Sequence, residues 1–318
     1  MTTNLRIKSW LTRFRRPRFG ALLAPNDPYL SPPLRPLEGI LPGSMRRSVK
    51  RRLRLLGSDD AAHFPLVLPV PHASELVGLP DFIGIGVQRA GTSWWFDLLL
   101  TQPGIYHRSE VEIHKERQYF SHLALAKSDN EILKRDFACW FPRTEGTITG
   151  EWTPDYFYYA WVPRLVYMTA PAAKLLLLLR DPVERLLSGA THLASLNRGS
   201  LPPGDIIQDA FQRGLYANQL RNWLVHFPIS QFLILQYEQC VADPRAELTR
   251  TLRFLGVDSE VTVRSTQPHR RINPSRGTRP QLPKSVRDRF VSLYESDVAQ
   301  LKALVPDLNL DVWPNFRP

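Results

Sequence analysis

The chain has 318 residues, 43% of them apolar and 22% charged, and carries two cysteines. That composition excludes a wholly disordered or collagen-like chain, a disulfide scaffold and a four-cysteine zinc site, and no stretch reaches the roughly 18 to 20 apolar residues of a membrane-spanning helix. The net charge of +11 is uneven: residues 1–60 hold 13 Lys and Arg against 4 acids, residues 61–318 hold 28 against 26, unlike a uniformly basic nucleic-acid binder.

The first 60 residues read as a basic, Pro-rich arm, and residues 61–318 as one globular domain. Ile7, Trp10, Leu11 and Phe14 share one helical face, ringed by Arg6, Lys8, Arg13, Arg15 and Arg16. Such a helix suits an anionic membrane surface; the alternatives are a solvated tail or an organelle transit peptide. No uncharged core of signal-peptide length is present, so export is not expected. Pro25, Pro28, Pro32, Pro33, Pro36 and Pro42 form an extended linker, and a second basic cluster spans residues 46–54.

From about residue 78 strands and helices alternate. Strands are expected over 82–87, 147–151, 172–179 and 232–236. Helices are expected over 92–100, 182–196, 215–227, 244–255 and 283–304, with Pro182 in a first turn and Gly256 as a stop. The alternation predicts an α/β fold with a mainly parallel sheet flanked by helices, and no internal repeat is visible.

The first strand runs through Phe82-Ile83-Gly84-Ile85-Gly86-Val87 into Gln88-Arg89-Ala90-Gly91-Thr92-Ser93-Trp94-Trp95. Gly86 and Gly91 stand five apart, as in a phosphate-binding P-loop, and a helix N-terminus follows that favours an anion. The Lys that a nucleoside-triphosphatase places after the second glycine is absent. Thr92 occupies its place, the cation Arg89 lies inside the loop, and no carboxylate for Mg²⁺ stands out. A phosphate-bearing nucleotide without a metal is the reading; a plain strand–helix turn is the alternative. Arg180, at the end of Leu175–Leu179, and Ser188, eight residues on, can share an anion. The bland reading is Arg180 capping a helix or pairing with Asp181.

With these residues in view, the sequence resembles the sulfotransferases that use 3′-phosphoadenosine 5′-phosphosulfate (PAPS), over about residues 80–316. Gln88 to Trp94 is similar to that family's 5′-phosphosulfate loop, Arg180 and Ser188 to its 3′-phosphate pair, and Ser275-Arg276-Gly277 to its last 3′-phosphate loop. The resemblance implies a P-loop-like sheet, PAPS bound by residues 89–94, Arg180, Ser188, Arg276 and Gly277, and no metal. Trp94 falls where cytosolic members stack adenine. It implies in-line transfer of a sulfuryl group to an acceptor hydroxyl, of a carbohydrate or glycolipid, by a Glu base and a cationic loop.

Arg89 stands where the family has a catalytic Lys; it keeps the charge but is a poor proton donor, so an electrostatic role is expected. Lys115 is a reserve cation. Lys115-Glu116-x-x-Tyr119-Phe120 looks like the Lys-Glu-x-x-Phe-Phe element of heparan-sulfate-type members, which makes Glu116 the base, with His107 and His114 as alternatives. A surface pairing of Glu116 with Lys115 or Arg117 is the plain alternative, and Glu110 and Glu112 read as solvated. Gly150-Glu151-Trp152-Thr153-Pro154-Asp155-Tyr156 is similar to an element that lines the acceptor cleft, with Trp152 in place of the family Lys. Lys115, Trp152 and His107 are therefore the acceptor-side residues, although Trp152 equally suits a core.

His192 reads as structural or as a pocket wall. Cys139 and Cys240 read as thiols of a reducing compartment, which with the arm suggests a cytoplasmic protein at a membrane surface. The competing readings are a P-loop kinase and an inactive nucleotide-binding protein.

Overall fold

The structure, a computed structural model, describes residues 72, 74–108, 115–121, 123, 130–197, 203–257 and 282–317. The expectations for the arm (1–60), for Glu110, Glu112 and His114, and for Ser275, Arg276 and Gly277 lie outside the described residues.

The core is a four-stranded parallel sheet of β2 (Phe82–Gly86), β4 (Gly150–Trp152), β5 (Lys174–Leu179) and β6 (Phe232–Gln236), in the order β4-β2-β5-β6. Phe82 pairs with Gly150 on one side and with Lys174 on the other, and Leu175 pairs with Phe232. A parallel sheet covered on both faces requires continuous apolar strands rather than alternating ones. Leu175 to Leu179 meet that requirement, each with 0% exposure. Two short strands, β1 (Leu76–Val77) and β3 (Pro142–Arg143), form a separate antiparallel pair.

Gly84 and Gly86 flank a register shift in the pairing of β2 with β5. A Cβ on Gly84 would lie 2.0 Å from the Trp152 ring, and one on Gly86 would lie 2.7 Å from Phe157. The glycines therefore make room for two large side chains. The Trp152 indole donates to the Gly86 carbonyl at 3.1 Å and is fully buried. This corrects the expectation that Trp152 meets an acceptor: it is a core residue.

Nine helices are described: α1 (Thr92–Leu100), α2 (Asn130–Ala138), α3 (Val162–Thr169), α4 (Pro182–Asn197), α5 (Pro203–Gln212), α6 (Tyr216–Leu224), α7 (Tyr237–Ala242), α8 (Pro244–Leu255) and α9 (Lys284–Leu304). Each positioning helix has a local cause. Gly91 starts α1 with φ +87°, a conformation natural to glycine. Asp181 caps α4, its Oδ1 accepting the N–H groups of Val183 at 2.9 Å and Glu184 at 3.1 Å. Asp243 caps α8, and Gly256 ends it at φ +81°. The start of α6 is capped from a distance: the carboxylate of Asp297, on α9, accepts the N–H groups of Ala217 and Asn218. Among the described residues no helix is long and apolar enough to cross a membrane.

Candidate active site

The strand β2 delivers the loop Val87–Gly91 to the C-terminal edge of the sheet, where ligands bind in open α/β folds. The Val87 N–H donates to Leu178 O at 3.0 Å, and the Ala90 N–H turns back to Val87 O at 3.2 Å. Arg89 sits at φ +70° inside this turn, an uncommon conformation for a side chain of its size.

Three residues singled out from the sequence meet here. The Arg89 Nε–H donates to Ser188 Oγ at 3.2 Å, and Arg180 Nη1 donates to the Arg89 carbonyl at 3.1 Å. Arg180 thus neither caps α4 nor pairs with Asp181; Asp181 is the cap. The Arg180 guanidinium lies 4.6 Å over the Tyr237 ring, and a Cβ on Gly91 would lie 2.8 Å from the same ring. Tyr237 opens α7 and went unnoticed in the sequence. Its only signal was its place directly after a buried strand, the position that Arg180 occupies after β5. Burial disfavours the charge of Arg89, as do the guanidinium groups of Arg180 and Arg185, while Glu116 supports it. Arg89 and Arg180, joined on one loop, suit an anion.

Lys115 closes the opposite side. Its ammonium donates to Thr92 Oγ1 at 3.3 Å, to Ser93 Oγ at 3.1 Å and to Glu116 Oε1 at 2.8 Å. The hydroxyls that open α1 and the expected base are therefore joined by one cation.

The segment carrying Glu116 is fixed along the edge of β4. Its N–H donates to Trp152 O at 2.9 Å, and the Gln118 N–H donates to Thr153 Oγ1 at 3.4 Å. Glu116 and Gln118 both take φ near +57°, at 58° and 56°. Around that turn the Glu116 carboxylate is half-exposed, while the Arg117 guanidinium lies 4.7 Å from the centre of the Trp140 ring and 5.2 Å from that of Phe141. Beneath it, the fully buried Glu151 accepts from Thr153 Oγ1 at 2.8 Å and from the Tyr156 hydroxyl at 2.9 Å. Burial raises the Glu151 pKa, and the Arg117 charge opposes that shift. Asp155 completes the support, accepting from Gln118 Nε2 at 3.1 Å and from Arg213 Nη1 at 2.6 Å. The Gly150–Tyr156 element thus holds the segment of Glu116 in place, a role the sequence did not reveal.

Two other expected residues differ in exposure. Trp94 is only 4% exposed, its ring edge-on to Trp95 at 5.3 Å, so burial leaves little of it for an adenine. His107 is exposed and lies two residues beyond the Ile105–Ile148 bridge. Among the described residues no group of His, Cys, Asp and Glu is arranged to hold a metal.

Residues 79–290 match the Sulfotransferase domain family, and the chain belongs to that family. It is 31% identical over 207 residues to heparan sulfate glucosamine 3-O-sulfotransferase 6 of Mus musculus, covering 61% of this chain and 57% of that one. It is 33% identical over 198 residues to heparan sulfate glucosamine 3-O-sulfotransferase 3A1 of the same organism, covering 58% and 47%. The chain thus spans about half the length of the curated relatives it matches. Among solved structures, a sulfotransferase from Alicyclobacillus acidocaldarius superposes with a TM-score of 0.56 at 24% identity, over 74% of this chain and 99% of that one, which supports the fold.

Proposed function

We propose that this protein transfers a sulfuryl group from PAPS to a hydroxyl of a carbohydrate. The observation that carries the reading is the convergence of Arg89, Arg180 and Ser188 at one loop, with Lys115 joining the start of α1 to Glu116. The residues fit a bis-phosphorylated nucleotide. The loop N–H groups, Thr92, Ser93 and Lys115 suit its 5′ end, and Arg180 and Ser188 suit its 3′-phosphate. Arg276 and Gly277 belong to the same expectation.

Bound PAPS supplies the activated sulfuryl group. The chain's own residues bind, orient and handle the proton. Glu116 Oε takes the proton of the acceptor hydroxyl, which needs a half-exposed carboxylate beside the loop. Lys115 Nζ and the Arg89 guanidinium hold positive charge where negative charge grows on the leaving side. Arg89 acts by charge alone, and Lys115 stands in for the Lys that the loop lacks.

A carbohydrate hydroxyl is supported by the relatives, whose names specify 3-O-sulfation of heparan sulfate glucosamine. A glycolipid would serve the same chemistry. The basic arm suggests a cytoplasmic protein held at an anionic membrane surface, and the two free thiols, Cys139 and Cys240, agree with a reducing compartment. Deleting residues 1–60 should then abolish binding to phosphatidylserine vesicles; unchanged binding would remove the arm from the proposal.

Calorimetric titration tests the central reading. The protein should bind 3′,5′-adenosine bisphosphate and show little affinity for ATP with Mg²⁺, and Arg180→Ala should weaken the former. Incubation with PAPS and heparan sulfate should then yield a sulfated product by mass spectrometry. Preference for ATP would overturn the reading in favour of a kinase, and bisphosphate binding without transfer to any glycan would leave a nucleotide-binding protein.

A further inference from the structure

Arg117 lies between Glu116 and Gln118, whose φ angles of 58° and 56° put the backbone in a region that side chains rarely adopt. Such a conformation persists only where the surroundings hold it. Hydrogen bonds supply part of the hold, from the Glu116 N–H to Trp152 O at 2.9 Å and from the Gln118 N–H to Thr153 Oγ1 at 3.4 Å.

The Arg117 guanidinium does not pair with Glu116, whose carboxylate is bonded to Lys115 instead. It lies over Trp140 and Phe141, 4.7 Å and 5.2 Å from the ring centres. Its Nε and Nη1 are buried and have no hydrogen-bond partner among the described residues. Ring faces therefore do most to hold this cation, an attraction that strengthens where water is excluded. The rings are themselves fixed. The Trp140 N–H donates to Phe137 O at 3.1 Å and the Phe141 N–H to Ala138 O at 3.0 Å, carrying on the turn of α2. Phe137 meets Phe141 at 4.8 Å, Tyr119 at 4.9 Å and Phe120 at 4.7 Å. The segment is thus pinned to one aromatic wall at residue 117 and again at 119 and 120.

Resting on the reading of Glu116 as the base, we propose that Arg117 is its positioning residue. With the guanidinium seated on Trp140 and Phe141, the residues on either side are held at positive φ, and the Glu116 carboxylate is left half-exposed on Lys115. The buried guanidinium takes no part in the chemistry and acts through Glu116 alone.

Amide hydrogen exchange in the full chain tests this hold without PAPS. Arg117→Met should speed exchange at Glu116 by about tenfold or more and leave Leu175 to Leu179 unchanged. Unaltered exchange at Glu116 would overturn the inference, as would an equal rise in β5, which marks general destabilisation. A double-mutant cycle on transfer from PAPS to heparan sulfate is the second readout. Arg117→Met should lower kcat by about tenfold, with bisphosphate affinity within about twofold, and Arg117→Lys should restore part of the loss. In a Glu116→Gln background Arg117→Met should cost less than about twofold; an equal loss in both backgrounds would overturn the inference. Trp140→Leu removes a ring beneath the guanidinium from outside the segment. It should give the same exchange and kinetic signature, and it decides the matter if Arg117→Met does not fold. Full kcat in Glu116→Gln would overturn the reading of the base instead, and the exchange rates would still decide whether Arg117 holds the segment.

Discussion

Arg89 occupies the tightest point of the site. Its Nε–H reaches Ser188 while its own carbonyl receives Arg180. A lysine there would keep the charge and lose the fork. Arg89→Lys should therefore weaken binding of 3′,5′-adenosine bisphosphate by about tenfold, the scale of one charge-assisted hydrogen bond, as read by calorimetry. Glu116 differs in kind, because the half-exposed carboxylate is bonded to Lys115 and not to the loop. Glu116→Gln should lower kcat by about 10² or more and leave bisphosphate affinity within about twofold. At this scale the sequence was a good guide to which side chains meet. Arg89, Arg180 and Ser188 are joined as their motif implied, and Lys115 reaches the hydroxyls of Thr92 and Ser93. It was a poor guide to Trp152 and Trp94, because an aromatic residue in a motif looks the same whether it faces a ligand or the core. Tyr237 and Glu151 carried no motif of their own; only the meeting of β6 with β5, and of β4 with the segment of Glu116, gives them a purpose.

The elements divide in the same way. Five consecutive leucines between Lys174 and Arg180 can only be a strand buried on both faces, and the strand is there. The expected strand over 147–151 appears as three residues, Gly150–Trp152, because β4 pairs with β2 on one side only and Ile148 makes a lone bridge to Ile105. Helices α2, α3, α5 and α7 were not foreseen. Each is ten residues or shorter, and packing rather than propensity decides helices of that length. The glycines of β2 did hold a usable signal. Glycine weakens a strand interior unless something large needs the space, and Trp152 and Phe157 fill it. Gly84→Ala places a methyl group inside the Trp152 ring. It should destabilise the protein by about 3 kcal/mol or prevent folding, which urea denaturation would measure.

Across the whole molecule, the C-terminal segment returns to the sheet. The Trp313 indole donates to Glu238 Oε2 at 3.1 Å, and the Asn315 N–H and amide both donate to Asp181 Oδ2 at 3.0 Å. The Asp181 N–H in turn donates to Glu238 Oε1 at 3.0 Å. Burial pushes the Glu238 pKa up to about 7 from an ordinary 4.5. The folded protein then holds a proton that the unfolded chain has released, so this group's contribution to stability is full below about pH 4.5 and is lost as pH rises through about 7. The loss is on the order of 3 kcal/mol. Glu238→Gln should remove this slope, so that urea denaturation between pH 5 and 8 shows the variant gaining on the wild type as pH rises. A constant difference would show that Glu238 does not titrate there.

The same returning segment has a consequence for how the protein is made. The turn between β5 and α4 carries Arg180, and its neighbour Asp181 is secured by a residue synthesised 134 positions later. A chain still growing on the ribosome can assemble the parallel sheet and the Arg89 loop. It cannot fasten Asp181 and Glu238 until residues 313–315 have emerged. Nucleotide-binding competence should therefore be acquired after translation has passed this point, and a C-terminal fusion that pulls on Trp313 would disturb a site far away in sequence.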